Sequence, residues 1–252
     1  MPAAGRPARA GALRRLLALP ALILFMVAAV AGCGNTRVGE DRPAVPHSLA
    51  VAPTPITVRV PPQRFVPGPL IATGLGLHAG PVAVPLRLKI PAIGVNAAVL
   101  GVGLTANDVM DAPQGAAGSS VWRKAFWYRG GGIPGQSGTA TIAGHVDDVL
   151  GRPAVFARLK DLRPGDTVLV VDTRAERTIH FVVIGTATYS ERQASNPAVL
   201  SRVYGPGPVA GRPPQPAPDG LAHLTLITCA GVYVHGAYNH HLVVYTQRTA
   251  TP

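Results

Sequence analysis

The sequence predicts a mostly β domain, built as a barrel with one or two short helices, behind an N-terminal leader and a long spacer. Three observations lead there. Short runs of apolar and β-branched residues recur from position 86 to 246, each closed by a Gly/Pro/Asn/Asp turn. The chain of 252 residues carries 26 prolines and 29 glycines, which interrupt any long helix. Helical spacing of apolar residues is read in only one stretch, Pro153 to Leu162.

From the N-terminus, residues 1–15 hold Arg6, Arg9, Arg14 and Arg15 with no acid, and Leu16 to Ala31 are wholly apolar or small. A basic segment followed by an apolar one of this length is an export signal, short for a membrane span of about 20 residues. Val30-Ala31-Gly32-Cys33 follows. Small residues running into a cysteine resemble a bacterial lipobox, which implies cleavage before Cys33 and its acylation; the other reading is an uncleaved signal anchor. Either way residues 1–33 tether the remainder to the extracytoplasmic face of the membrane, with Arg14 and Arg15 on the cytoplasmic side. Residues 34–83 read as an extended Pro-rich spacer, punctuated by Pro43, Pro46, Pro53, Pro55, Pro61, Pro62, Pro67 and Pro69.

The folded domain is expected over 84–248. Leu86-Arg87-Leu88-Lys89-Ile90 alternates apolar and basic, a half-exposed strand stopped by Pro91, and Ile93-Gly94-Val95 opens another run. Residues 99–121 read as loop, with one brief strand at Val109-Met110. Trp122, Phe126, Trp127 and Tyr128 fit a core cluster better than a groove lining. The glycine-rich turn 130–138 lacks the Lys-Ser/Thr ending of a phosphate loop, so a nucleotide site is excluded. Next come the run Thr139–His145, the expected helix 153–162, the turn Arg163-Pro164-Gly165-Asp166, strands at 167–172 and 178–189, and a turn at Asn196-Pro197. A Pro/Gly-rich loop spans 205–220, before the runs Leu224–Cys229 and Leu242–Thr246.

The formal net charge is +11, with only Lys89, Lys124 and Lys160 as lysines. The arginines are scattered and aromatics make up only 5%, which argues against nucleic acid as a partner and suits an anionic envelope surface. Two cysteines, Cys33 and Cys229, do not make a disulfide framework.

Two strands end on chemistry. Leu224–Cys229 delivers a thiol to a sheet rim, and Thr139–His145 delivers an imidazole. Cys and His on separate strands form the minimal nucleophile and acid/base pair, although a lone cysteine in a β domain can equally be an inert buried residue. Asp147 and Asp148 can orient His145 but fit turn residues better. His235, His240 and His241 lack a carboxylate or cysteine partner, so neither a metal nor a cofactor is expected.

Four segments in this order resemble the sortases, the cysteine transpeptidases of Gram-positive surfaces, and are most similar to the actinobacterial class E/F group. They are Leu88–Val95, Thr141–His145, Leu162–Asp166 and Leu224–Cys229, the last matching the "TLxTC" nucleophile strand. The resemblance covers roughly residues 86–246. It implies a closed eight-stranded barrel with Cys229 as nucleophile and His145 as acid/base. It also implies partners: exported proteins with a C-terminal sorting motif, and an acceptor amine of the cell wall or of another protein. One departure stands out. Family members carry an arginine on the strand after the nucleophile, where this chain reads Ala237-Tyr238-Asn239-His240-His241-Leu242, so His241 or Asn239 occupies its place. No arginine lies between Arg212 and Arg248. The alternative implied is an impaired, sortase-like envelope lipoprotein that binds or scaffolds peptides.

Overall fold

The computed structural model describes residue 70 and residues 75–249. The leader, Cys33 and most of the spacer lie outside the described residues. No helix among those described is long and apolar enough to cross a membrane.

Eight strands close into a barrel: β1 (Val82–Ile90), β2 (Val95–Val102), β3 (Ala125–Tyr128), β4 (Gly138–Ala143), β5 (Thr167–Asp172), β6 (Arg177–Ser190), β7 (Ala222–Val234) and β8 (Ala237–Arg248). Their order around the barrel is β1-β2-β3-β4-β7-β8-β6-β5. The β2–β3 and β4–β7 pairs are parallel, and the other pairs are antiparallel. Closure leaves no free edge among them. Strand alternation fills the interior with Leu88, Ile90, Val99, Trp127, Ile142, Val170, Phe181, Leu224, Leu226 and Val244, all nearly solvent-free.

The expected fold class stands, and several elements shift. Residues 99–102 belong to β2, and of the expected Val109-Met110 strand only an isolated Leu104–Met110 bridge forms. Ala97, Ala98 and Gly101 give a weak local strand signal; pairing with β1, and for Gly101 with β3 as well, holds them extended. The four aromatics are all buried, but only Trp127 joins the barrel core. Trp122 and Phe126 pack against the His145 ring and Tyr128 lines a groove on the outer face, so the core cluster expected of all four is corrected.

The helix expected at 153–162 reduces to a single 3-10 turn, Leu159–Asp161. Phe156, Leu159 and Leu162 are buried as their spacing requires. However, the backbone N–H groups of Ala154, Val155 and Phe156 donate to Val146, Trp122 and His145 carbonyls instead of closing a helix. The helices lie elsewhere: α1 (Glu191–Ala194) and α2 (Pro197–Tyr204), where a turn was expected. Asn196 and Pro197 start α2 instead of ending an element, with Asn196 Oδ1 accepting from Ala198 N–H.

Residues at the end of the expected spacer also meet the barrel. Arg129, only 8% exposed, donates to the carbonyls of Gly76 and Ala79, and Leu104 N–H donates to Leu77. β1 itself begins at Val82, two residues before the expected boundary.

Candidate active site

Parity on adjacent strands decides which side chains share a face. On β7, Leu224 and Leu226 point into the core, so Thr225, Ile227 and Cys229 face out. On β8, Val244 is a core residue, so His241, Val243 and Tyr245 face out. On β4, Ala140 and Ile142 point in, and Thr141 and Ala143 point out. The register then aligns them. In the parallel pair Ala143 lies opposite Ile227, and Gly144 N–H still donates to Ile227, carrying the ladder one step past the strand. His145 therefore emerges beside Cys229. In the antiparallel pair Cys229 lies directly opposite His241. Residues paired this way hold their Cβ atoms about 4.5–5.5 Å apart.

His145 is tightly held. Its ring lies 4.7 Å from the Trp122 ring and 5.3 Å from that of Phe126, measured between centroids. Its Nε2 is 2.9 Å from the Pro113 carbonyl oxygen. A carbonyl only accepts, so Nε2 carries the proton and Nδ1 remains for exchange. Gly144 leaves no room for a side chain: a Cβ there would lie 2.6 Å from the Phe156 ring. Thr228, buried on the inner side of β7, donates from Oγ1 to the Gly144 carbonyl at 2.7 Å and so ties the two site strands together.

Cys229 is a free thiol, half buried. Burial pushes it above the ordinary thiol range, and the nearby Asp147 and Glu191 carboxylates push the same way. Asp147 accepts a hydrogen bond from the Tyr238 hydroxyl, linking the β7–β8 ribbon to the turn after His145. Asp148 accepts from the N–H groups of Leu150 and Arg152 and pairs with the Arg152 guanidinium. Neither carboxylate bonds the His145 ring; the orienting group there is the Pro113 carbonyl. Sequence spacing carries no signal for that contact, because it joins residues 32 positions apart through a loop.

The two candidates for the arginine place are in different settings. Asn239 sits at the irregularity between the Ala230 and Tyr233 pairings, where its Oδ1 accepts from Val232 N–H at 2.9 Å and meets His240 Nδ1 at 2.7 Å. His241 stands opposite the thiol, and its Nε2 is 3.0 Å from Glu191 Oε1. Glu191 was not singled out from the sequence. Arg248 ends β8, seven positions beyond His241, and donates to the Gly135 carbonyl. Cys33 lies outside the described residues. Among those described, His235, His240 and His241 form no group of three metal-ligating side chains.

A cavity of about 680 Å³ runs from His241 along the outer face of β7 and β8, under α1 and α2. Val109, Val199, Leu200, Ile227 and Val243 make it largely apolar, and Tyr189 and Glu191 add polar groups.

The model of the sortase domain matches residues 88–249 of this chain. Among solved structures, the chain is similar to sortase A from Corynebacterium diphtheriae, at 17% identity over 69% of this chain and 63% of that one, with a TM-score of 0.46. It thus spans less than two thirds of that protein. It is also similar to the pilus-related sortase C of Group B Streptococcus, at 19% identity, 66% of each chain and a TM-score of 0.43. Sortase A of Listeria monocytogenes gives 18% identity over 67% of this chain and 88% of that one, with a TM-score of 0.43. No curated protein sequence matches the chain.

Proposed function

The chain belongs to the sortase family, whose members are cysteine transpeptidases, and on that premise we propose that Cys229, His145 and His241 carry out transpeptidation on exported proteins. One observation supports this reading: Cys229 pairs directly with His241 on the antiparallel strand, and the parallel β4–β7 register, continued two residues past Ala143–Ile227, runs to His145.

Cys229 Sγ attacks the scissile carbonyl carbon, and the thiol proton passes to His145 Nδ1, since Nε2 is committed to Pro113. The charge that develops on the carbonyl oxygen is held by His241. Collapse breaks the C–N bond as His145 returns the proton to the leaving amine, and a thioester remains on Cys229. An acceptor amine then attacks the thioester carbon and gives a proton to His145. Cys229 leaves as thiolate and recovers that proton. Loss of one oxyanion donor costs about 10²–10³ in rate, so a histidine in place of arginine sets the speed of the reaction rather than its course. The largely apolar cavity beside His241 suits the side chains of a sorting signal. The basic leader and the Val30–Cys33 segment support action at the extracytoplasmic face of the membrane, through lipidated Cys33 or an uncleaved anchor.

The test mixes the purified chain with a set of C-terminal sorting-type peptides and hydroxylamine, and reads intact mass. The expected result is a thioester adduct and a hydroxamate product, both lost in Cys229→Ala while the melting temperature holds. A folded chain that forms no adduct with any peptide points instead to a peptide-binding or scaffolding module built on the same groove. The mass of the mature protein isolated from cells tests the tether, since a diacylglyceryl addition on Cys33 separates lipidation from an intact leader.

A further inference from the structure

Three strands lie side by side at the thiol: β7 with Cys229, β8 with His241, and β6, which pairs Tyr189 with His241 and Ser190 with His240. As the last residue of β6, Ser190 also caps α1 through a reciprocal bond with Gln193. This cap fixes the first residue of α1, Glu191, whose carboxylate reaches back to His241 Nε2 at 3.0 Å. The row is therefore thiol, imidazole, carboxylate, each on the next element. Among the described residues the His241 ring makes no other hydrogen bond or ion pair.

We propose that Glu191 is a positioning residue that turns His241 into a working replacement for the arginine. The inference rests on the transpeptidase reading above. A carboxylate accepts from Nε2–H and compensates a positive ring. With Nε2 so engaged, Nδ1 is the ring nitrogen left for the thiol and its acyl group. Neutral, Nδ1 can only accept; in the imidazolium it donates. An arginine would donate in every state. Glu191 thus supplies part of what the missing guanidinium had by itself: a fixed orientation, and a counter-charge for the ring when it is protonated.

Other charges face the same place. Cys229 lies across on β7, Tyr189 across on β6, and His240 precedes His241 on β8. Asp108 and Tyr204 line the shared cavity. Asp147, bonded to Tyr238, stands near the thiol. Asp147 and Glu191 are therefore two carboxylates with the same direct effect on Cys229: both disfavour the thiolate. Only Glu191 also holds an imidazole. When the ring carries a proton, it opposes that effect from the position directly across the strand pair, closer to the thiol than the carboxylate behind it. This makes the sign of each substitution diagnostic.

The experiment measures iodoacetamide alkylation of Cys229 in the full chain at about pH 6, below the ordinary imidazole value, read on the peptide that carries it. Glu191→Gln is expected to slow alkylation about two- to fivefold, the range of an exposed charge pair. Asp147→Asn is expected to speed it by a similar factor. In a His241→Arg background, which itself should raise the rate, Glu191→Gln should change sign and speed alkylation, because only its repulsion of the thiolate is left. If Glu191→Gln speeds alkylation in both backgrounds, or leaves both unchanged, Glu191 is no positioning residue. Failure of transpeptidation is a separate result: it shows as absence of the thioester with the peptide set, and the signs at the thiol remain readable.

Discussion

The thiol of Cys229 is poorly prepared for attack on its own. Burial first, then Asp147 and Glu191, lift it above the ordinary range, so the folded chain favours the protonated form. The sign follows: this preference stabilises the fold at pH below the ordinary thiol value of about 8.5 and is lost as pH rises through the higher folded value. Alkylation of Cys229 should therefore climb with pH later in the native chain than in the same chain unfolded in urea. An equal or earlier rise in the native chain would contradict it. Next to the imidazole, Gly144 is required by close approach rather than by backbone conformation. Gly144→Ala drives a methyl into the Phe156 ring, itself fully buried. Overpacking of this kind costs about 1–3 kcal/mol, measurable by urea unfolding. It should also slow thioester formation, because His145 is the next residue.

At the scale of elements, the site depends on how β4, β7 and β8 are joined. Thr228 Oγ1 donates to the Gly144 carbonyl across the β4–β7 boundary. Thr228→Val keeps the shape but leaves that buried carbonyl oxygen unpartnered on this side, at a cost of about 1–2 kcal/mol in urea unfolding. The β7–β8 ribbon, closed by His235 and Gly236 at positive φ, continues past Cys229 and is latched by Tyr238 to Asp147. That bond, followed by burial, pushes the Tyr238 hydroxyl up to about 12. A raised hydroxyl contributes stability in full below its ordinary value of about 10 and loses it as pH climbs through the folded value. Tyr238→Phe should thus lose a constant increment, about 0.5–1 kcal/mol for a half-exposed bond, from about pH 6 to pH 9. A loss that varies across that window would show that another group holds the ribbon. Helix α2 closes the outer face, with Thr141 Oγ1 donating to the Val203 carbonyl at 2.8 Å, and so gives the groove its roof.

For the molecule as a whole, barrel closure is helped by residues that precede the first strand. The Arg129 guanidinium is buried and bonds the carbonyls of Gly76 and Ala79, while its Nε has no partner. Removing residues 1–81 strips both acceptors from a buried cation. The shortened chain should unfold about 2–3 kcal/mol more easily than one beginning at residue 63, as bonds to charged groups of this kind predict. Equal stability would mean that water replaces both carbonyls without loss.

What the sequence determined by itself was set by local pattern. Alternation in Leu86–Ile90, the β-branched runs before His145 and Cys229, and turn residues between them are signals a strand carries within a few positions, and they led to the barrel and to the strands that carry Cys229 and precede His145. The expected strand ends are wrong, since β7 runs on past the thiol to Val234, held by its pairing with β8, and β4 stops at Ala143. Local pattern failed where distant partners overruled it. Residues 153–162 have helical spacing, yet their N–H groups find the His145 loop first. Asn196-Pro197 reads as a turn and starts a helix, because the same chemistry serves both. The placing of His241 and Asn239, two positions apart, rests on the register of β8, which sets His241 opposite Cys229 and Asn239 at the bulge. Glu191 and the Pro113 carbonyl were illegible for the same reason. Each acts on a histidine 50 or 32 positions away, and only closure of the barrel brings carboxylate, carbonyl, imidazole and thiol to one rim.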